Sequence, residues 1–185
     1  MIAYHIDRFM SLKTGMLIEL ESTCTPDSIN YAAEHLFGGR MSRHGMHHMA
    51  NPDGIDISMS SIIEFEFELI RKAFFPDMLS RFQAFFALES LQDILSWGNI
   101  LPAGQPFAIY EVSIPDTNKH HKLDSAFLRG GPNLSTMAYQ PSSDFENACR
   151  YWSQAKSDNP QYELLLEPPI TIGRRVYPSV VEMPM

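Results

Sequence analysis

Residues 80–90 read Ser80-Arg81-Phe82-Gln83-Ala84-Phe85-Phe86-Ala87-Leu88-Glu89-Ser90, a polar pair leading into an aromatic run. Aromatic and small apolar residues, uninterrupted by Gly or Pro, suit a strand over 81–88. On such a strand Phe85 and Phe86 point to opposite faces. Ser90 and Asp93 then open a helix that runs through Trp97 and stops at Gly98.

Upstream, residues 61–75 carry two periodicities. IEFEFELI alternates as a strand does. Ser61 and Glu64 nevertheless have capping-box spacing, and Ile63, Phe67, Ile70 and Phe74 share one helical face. The helix reading is preferred, ended by Pro76, with the strand as its alternative. Nearer the start, AYHIDRF (3–9) reads as a strand, residues 12–15 as a turn and MLIELE (16–21) as a second strand. Thr25, Pro26 and Asp27 form a helix start, and Gly38-Gly39 end that helix. Residues 40–58, rich in Gly, Pro, Asn and His, are expected to form a long loop, a candidate lid that ligand would shield from protease.

Downstream, FAIYEVSI (107–114) reads as a strand. Ser143 and Glu146 have capping-box spacing before a helix to about Ala155, and residues 157–160 form a turn. YELLLE (162–167) is a strand broken by Pro168-Pro169, and 170–177 is another. These elements predict an α+β fold rather than a doubly wound parallel sheet. No Gly-rich loop follows a strand, which argues against Rossmann and P-loop sites.

With 185 residues, 44% of them in the AVILMFWYC set, the chain is expected to form one domain over 1–185 with a core of its own. A formal charge of −8 disfavours broad nonspecific binding to nucleic acid. Acid gathers over 53–93, which makes this stretch a solvated face or a contact surface. No apolar run reaches the roughly 18 residues of a membrane span. The opening MIAYHIDRF is too short and polar for a signal peptide, and two cysteines make no disulfide framework, so a cytoplasmic location is expected.

Familiar catalytic motifs are missing. His44, His47 and His48 lie in RHGMHHM, but there is no HExxH or CxxC, and adjacent His47 and His48 diverge in any regular element, so no metal is expected. Cys24 precedes a helix start without a marked histidine partner, and no serine stands in a nucleophile elbow. Three segments are more pointed when taken together: Tyr4-His5-Ile6-Asp7-Arg8, Ser80–Ala87, and Tyr162-Glu163 leading into Leu164-Leu165-Leu166-Glu167-Pro168-Pro169.

In this order the three segments resemble the ADP-ribosyltransferase fold family, in particular small bacterial members of toxin and phage-defence type. SRFQAFFALES with its following helix resembles the family's central Ser-led strand, and YELLLEPPITI its Glu-led closing strand. The resemblance implies split antiparallel sheets flanked by helices, and NAD as the substrate. It implies that Glu163 is the acid beneath the ribose, and that Ser80 supports that acid or the nicotinamide ribose. It further implies that His5 orients the NAD ribose, with Arg8 as rival anchor, that Arg81 contacts the pyrophosphate, and that Phe85 or Phe86 stacks on nicotinamide.

The match has departures. The central motif lacks Ser-Thr-Ser. Position 161 is Gln, where arginine-modifying members carry an acid, so an arginine acceptor is disfavoured and a nucleic-acid or other protein acceptor stays open. Glu167 is an alternative acid; on a strand it would share a side with Glu163, about 13 Å away. A toxin of this kind would need an antitoxin or immunity partner in its host. Two other readings are kept: an NAD glycohydrolase on the same fold, and a non-enzymatic acidic interaction module.

Overall fold

The computed structural model describes residues 1–22, 27–50, 59–96, 106–129 and 141–177. Among these, the elements in order are β1 (Ile2–Asp7), β2 (Leu17–Ile18), β3 (Glu21–Ser22), α1 (Asp27–Phe37), β4 (Arg40–Met41), α2 (Arg43–Ala50), α3 (Met59–Phe74), β5 (Phe85–Ala87), α4 (Leu91–Ser96), β6 (Ala108–Ser113), β7 (His120–Asp124), α5 (Pro141–Trp152), β8 (Tyr162–Leu166) and β9 (Ile170–Tyr177). A short 3-10 turn, Ser125–Arg129, follows β7. The fold is α+β, as the pattern of elements predicts, and its sheets are antiparallel.

Four strands pair in the order β1-β6-β9-β2 and three in the order β5-β8-β7, all antiparallel. The two sheets touch at an isolated bridge where Tyr4 and Leu88 exchange backbone hydrogen bonds of 2.8 Å. Beyond Tyr4 the pairing lapses and the His5 ring takes its place: its Nδ1 lies 2.7 Å from the Phe86 carbonyl.

Strand alternation sorts β8 between two cores. Leu164 and Leu166 pack with Ala3, Ala108, Val112, Ile170 and Ile172 of the four-stranded sheet. Leu165 packs instead with Phe67 and Ile70 of α3 and with Ala148, Tyr151 and Trp152 of α5. This period-two division places the helices on the face of β8 away from the larger sheet. Trp152 locks the helical layer further by donating Nε1–H to the Phe67 carbonyl at 2.8 Å.

Several expectations change on contact with the structure. Residues 81–83 are a turn, not the start of a strand, because Ser80 captures the backbone: its Oγ accepts from Phe82 N at 3.1 Å and its carbonyl from Gln83 N at 3.0 Å. Residues 43–50 are the helix α2 rather than part of a loop. Ser42 caps it, with Oγ accepting from Gly45 N at 3.2 Å and its carbonyl from Met46 N at 2.9 Å. Gly45 lets this helix sit on the turn, since a Cβ there would lie 2.3 Å from the Phe82 carbonyl oxygen. Residues 51–58 of the expected loop, the Thr25-Pro26 cap, Cys24 and the Trp97-Gly98 helix stop lie outside the described residues.

The helix reading of 61–75 holds, but α3 begins at Met59, so Ser61 is internal and not the cap. Residues 16–21 contribute only the short β2 and the first residue of β3. Ser143 likewise lies within α5, and β7 arises where no strand was expected.

Candidate functional site

The turn at Ser80-Arg81 presents two polar side chains to two acids one turn apart on α3. Ser80 Oγ donates to Glu68 Oε2 at 2.9 Å. Glu68 is fully buried and also receives Arg71, with Nη2 to Oε1 at 2.8 Å. Ser80 thus belongs to a buried Glu68–Arg71 network, whereas the resemblance implies support of Glu163.

Arg81 is the hub of the second network, and it is 4% exposed. Its Nε and Nη2 bind Glu64 as a fork, at 2.6 Å to Oε2 and 2.7 Å to Oε1. Its Nη1 donates to Tyr151 Oη at 2.6 Å and pairs with Glu163 Oε1. The Tyr151 hydroxyl passes a hydrogen bond on to the same Oε1 at 2.7 Å. The guanidinium lies over the Phe86 ring, 4.8 Å from its centroid. Four of its five N–H donors go to carboxylates and a phenol and the side chain is buried, whereas the resemblance implies contact with a pyrophosphate. Its role here is to hold Glu163.

Charge follows from these contacts. Burial opposes the Arg81 charge, but Glu163 and Glu64 outweigh it and hold the guanidinium protonated. Burial also opposes ionisation of Glu64, yet Arg81 and His44 keep its carboxyl well below the usual carboxylate range. Burial pushes the Tyr151 phenol well above its ordinary value, so it stays a neutral donor. Both polar contacts on Glu163 fall on Oε1; among the described residues no hydrogen bond reaches Oε2.

On the other side of β5, the His5 and Phe85 rings lie 4.4 Å apart. A carbonyl can only accept, so His5 Nδ1 carries the proton and Nε2 keeps its lone pair. Burial lowers the His5 pKa in spite of this bond, which leaves the ring neutral near pH 7. Arg8 is exposed just past the end of β1. Glu167 is tied to the β6–β7 connection, where Oε2 accepts from Lys119 N at 2.8 Å.

The structure therefore joins Arg81, Phe86 and Glu163 on the helical side of β5, and His5 with Phe85 on the other. Phe86 is common to both: its ring meets Arg81 and its carbonyl meets His5. Sequence reasoning missed Glu64 and Tyr151 as site residues, and named His44 only within the histidine-rich stretch. The available signal was Glu64 and Glu68 at helical spacing beside the apolar face of α3, an unusual place for acids without cationic partners.

The molecule is thus an α+β fold in which a four-stranded and a three-stranded antiparallel sheet meet beside a buried arginine–carboxylate cluster. The model of a family of proteins of unknown function, DUF2441, matches residues 3–177, and the chain belongs to that family. A search of curated proteins finds no match. Among the described residues no helix is long and apolar enough to cross a membrane.

Proposed function

We propose that this chain is an ADP-ribosyltransferase that uses NAD as substrate, with a protein or nucleic acid as acceptor. The observation that carries the reading is the state of Glu163. It opens the central strand β8, its Oε1 is clamped by Arg81 and Tyr151, and its Oε2 is left without a bond among the described residues. A carboxylate oriented in this way suits a sugar carbon that gains positive charge.

In the reaction, the bond from the ribose anomeric carbon to nicotinamide breaks and its electron pair leaves with the neutral base. The sugar becomes oxocarbenium-like, and the acceptor's nucleophilic atom bonds to that carbon and releases its proton to solvent. Glu163 stabilises the cationic sugar and accepts from the 2′-hydroxyl. His5, which lies with Phe85 on the face of β5 away from Glu163, is given no contact with that sugar in this reading. Phe85 and Phe86 offer aromatic walls on opposite faces of β5. Arg81, Tyr151 and Glu64 position the acid.

A toxin or phage-defence role follows as part of the same proposal, with a silencing partner in the host and the cytoplasm as its site. The test supplies NAD labelled in its ADP-ribose half, together with a cell extract. Label should appear on macromolecules and free nicotinamide should accumulate. Glu163→Gln should lose both while keeping its far-UV circular dichroism, and Glu167→Gln should keep both. Label found only as free ADP-ribose would make the chain a glycohydrolase. Loss with Glu167→Gln alone would move the acid to that residue. No nicotinamide release by the unaltered chain would leave an interaction module.

A further inference from the structure

We propose that His44 and His48 of α2 and Glu64 of α3 form a binding site for a divalent cation of the zinc class. The inference does not depend on the NAD reading. Because 43–50 is a helix, the relevant pair is His44 and His48 rather than the adjacent His47 and His48. Residues four apart rise from one helical face, and these two rings lie 4.5 Å apart.

One ligand atom from each of His44, His48 and Glu64 lies within 4.8 Å of the other two. Tetrahedral zinc with ordinary bond lengths holds its donors about 3.4 Å apart. Side-chain rotation can supply the difference of at most about 1.4 Å without moving α2 against α3. Three protein ligands would leave a fourth position for water or a substrate oxygen.

Three further observations point to a cation. The first is that His44 Nε2 is buried without a hydrogen-bond partner, and it lies 3.5 Å from Glu64 Oε1. An unpaired buried ring nitrogen is costly, and coordination would satisfy it. The second is a charge imbalance: one guanidinium, Arg81, faces two carboxylates, Glu64 and Glu163, so the network carries one uncompensated negative charge. Arg81 repels an incoming cation, but the two acids together outweigh it. The third is that His48 already has an orienting contact, with Nδ1 3.3 Å from Ser61 Oγ. Outer partners of this kind hold metal-binding histidines in place. Phe86, 4.3 Å from the His44 ring, closes one wall.

The test is calorimetric titration of zinc into the chelator-stripped full chain, with cobalt as a spectroscopic stand-in. One saturable equivalent of zinc should bind, and cobalt should give the visible absorption of a tetrahedral site. His44→Ala and His48→Ala should each weaken binding at least tenfold, as should the milder His44→Gln and His48→Gln. His47→Ala, which alters an exposed neighbour outside the trio, should bind as the unaltered chain does. Failure of the unaltered chain to take up zinc would overturn the site. So would equal affinity in folded His44 and His48 variants, or a loss with His47→Ala as large as theirs.

Discussion

Replacing Arg81 with Met keeps most of the side-chain volume and removes the charge that three groups depend on. Four polar contacts disappear, two to Glu64, one to Glu163 and one to Tyr151, and the remaining bond from Tyr151 to Glu163 loses its anchor. Two buried carboxylates then lose the guanidinium that they share. Breaking a buried ion pair from one side costs about 3–5 kcal/mol, against a total of about 5–15 kcal/mol for a domain.

The loss should depend on pH, and the sign can be worked out. In the unaltered chain, Glu64 has a folded pKa held below its unfolded one, so its contribution is present above the unfolded value of about 4.3. It is lost only as pH falls through the lower folded value. In the variant the same acid keeps only His44 beside it, so burial, the largest influence on it, prevails and its folded pKa moves above the unfolded one. Acidification then favours the folded variant, so the gap between the two proteins should narrow from about pH 7 to about pH 5. Urea denaturation at both pH values reads this directly. Adding Glu64→Gln and Glu163→Gln to Arg81→Met should recover about half of the loss, since the stranded charges are gone. A loss below about 1 kcal/mol, or one identical at both pH values, would refute the claim that Arg81 is the hub of a buried charge network.

Two other perturbations test the scaffold. Gly45→Ala ordinarily favours a helix by about 1 kcal/mol, but here its Cβ meets the Phe82 backbone, so a destabilisation of about 2 kcal/mol or more is expected in thermal denaturation. Unchanged or raised stability would remove the close approach of α2 to the turn. Asp124, fully buried, accepts from Ala126 N at 3.1 Å, Gln161 N at 2.8 Å and Ser157 N at 2.8 Å. Burial opposes its charge, but these backbone donors outweigh it and lower its pKa. Its contribution should therefore be complete above about pH 4 and fade as pH falls through the depressed value. Asp124→Ala should cost about 3 kcal/mol or more near neutrality, and much less in acid; a pH-independent cost would contradict that.

The parts of this fold readable from the chain were those whose signals are local. The apolar run of β8, the spacing of Ser90 and Asp93, and the helical face of α3 each depend on neighbours within a few residues. The Ser90–Asp93 box closes as expected, with Asp93 N donating to Ser90 Oγ at 3.1 Å and Ser90 N to Asp93 Oδ2 at 3.0 Å. Helix α2 was hidden because Gly45 and three histidines have weak helix propensity, and its stability comes from the Ser42 cap and from packing on Phe82. Arg81 was legible as a residue of interest but not as a hub. Its partners lie 17, 70 and 82 residues away, and no local pattern encodes such a meeting. Ser80 similarly carried two messages: the turn it closes was available in its own chemistry, whereas its bond to Glu68 depends on where α3 lands.

The most direct measurement for the central claim is the rate at which purified chain frees nicotinamide from NAD, compared with its Glu163→Gln form. Turnover by the first and a fall of at least about a hundredfold in the second, with both equally folded, is the predicted result. Equal rates in the two, or no turnover by either, would contradict a catalytic carboxylate at the head of β8.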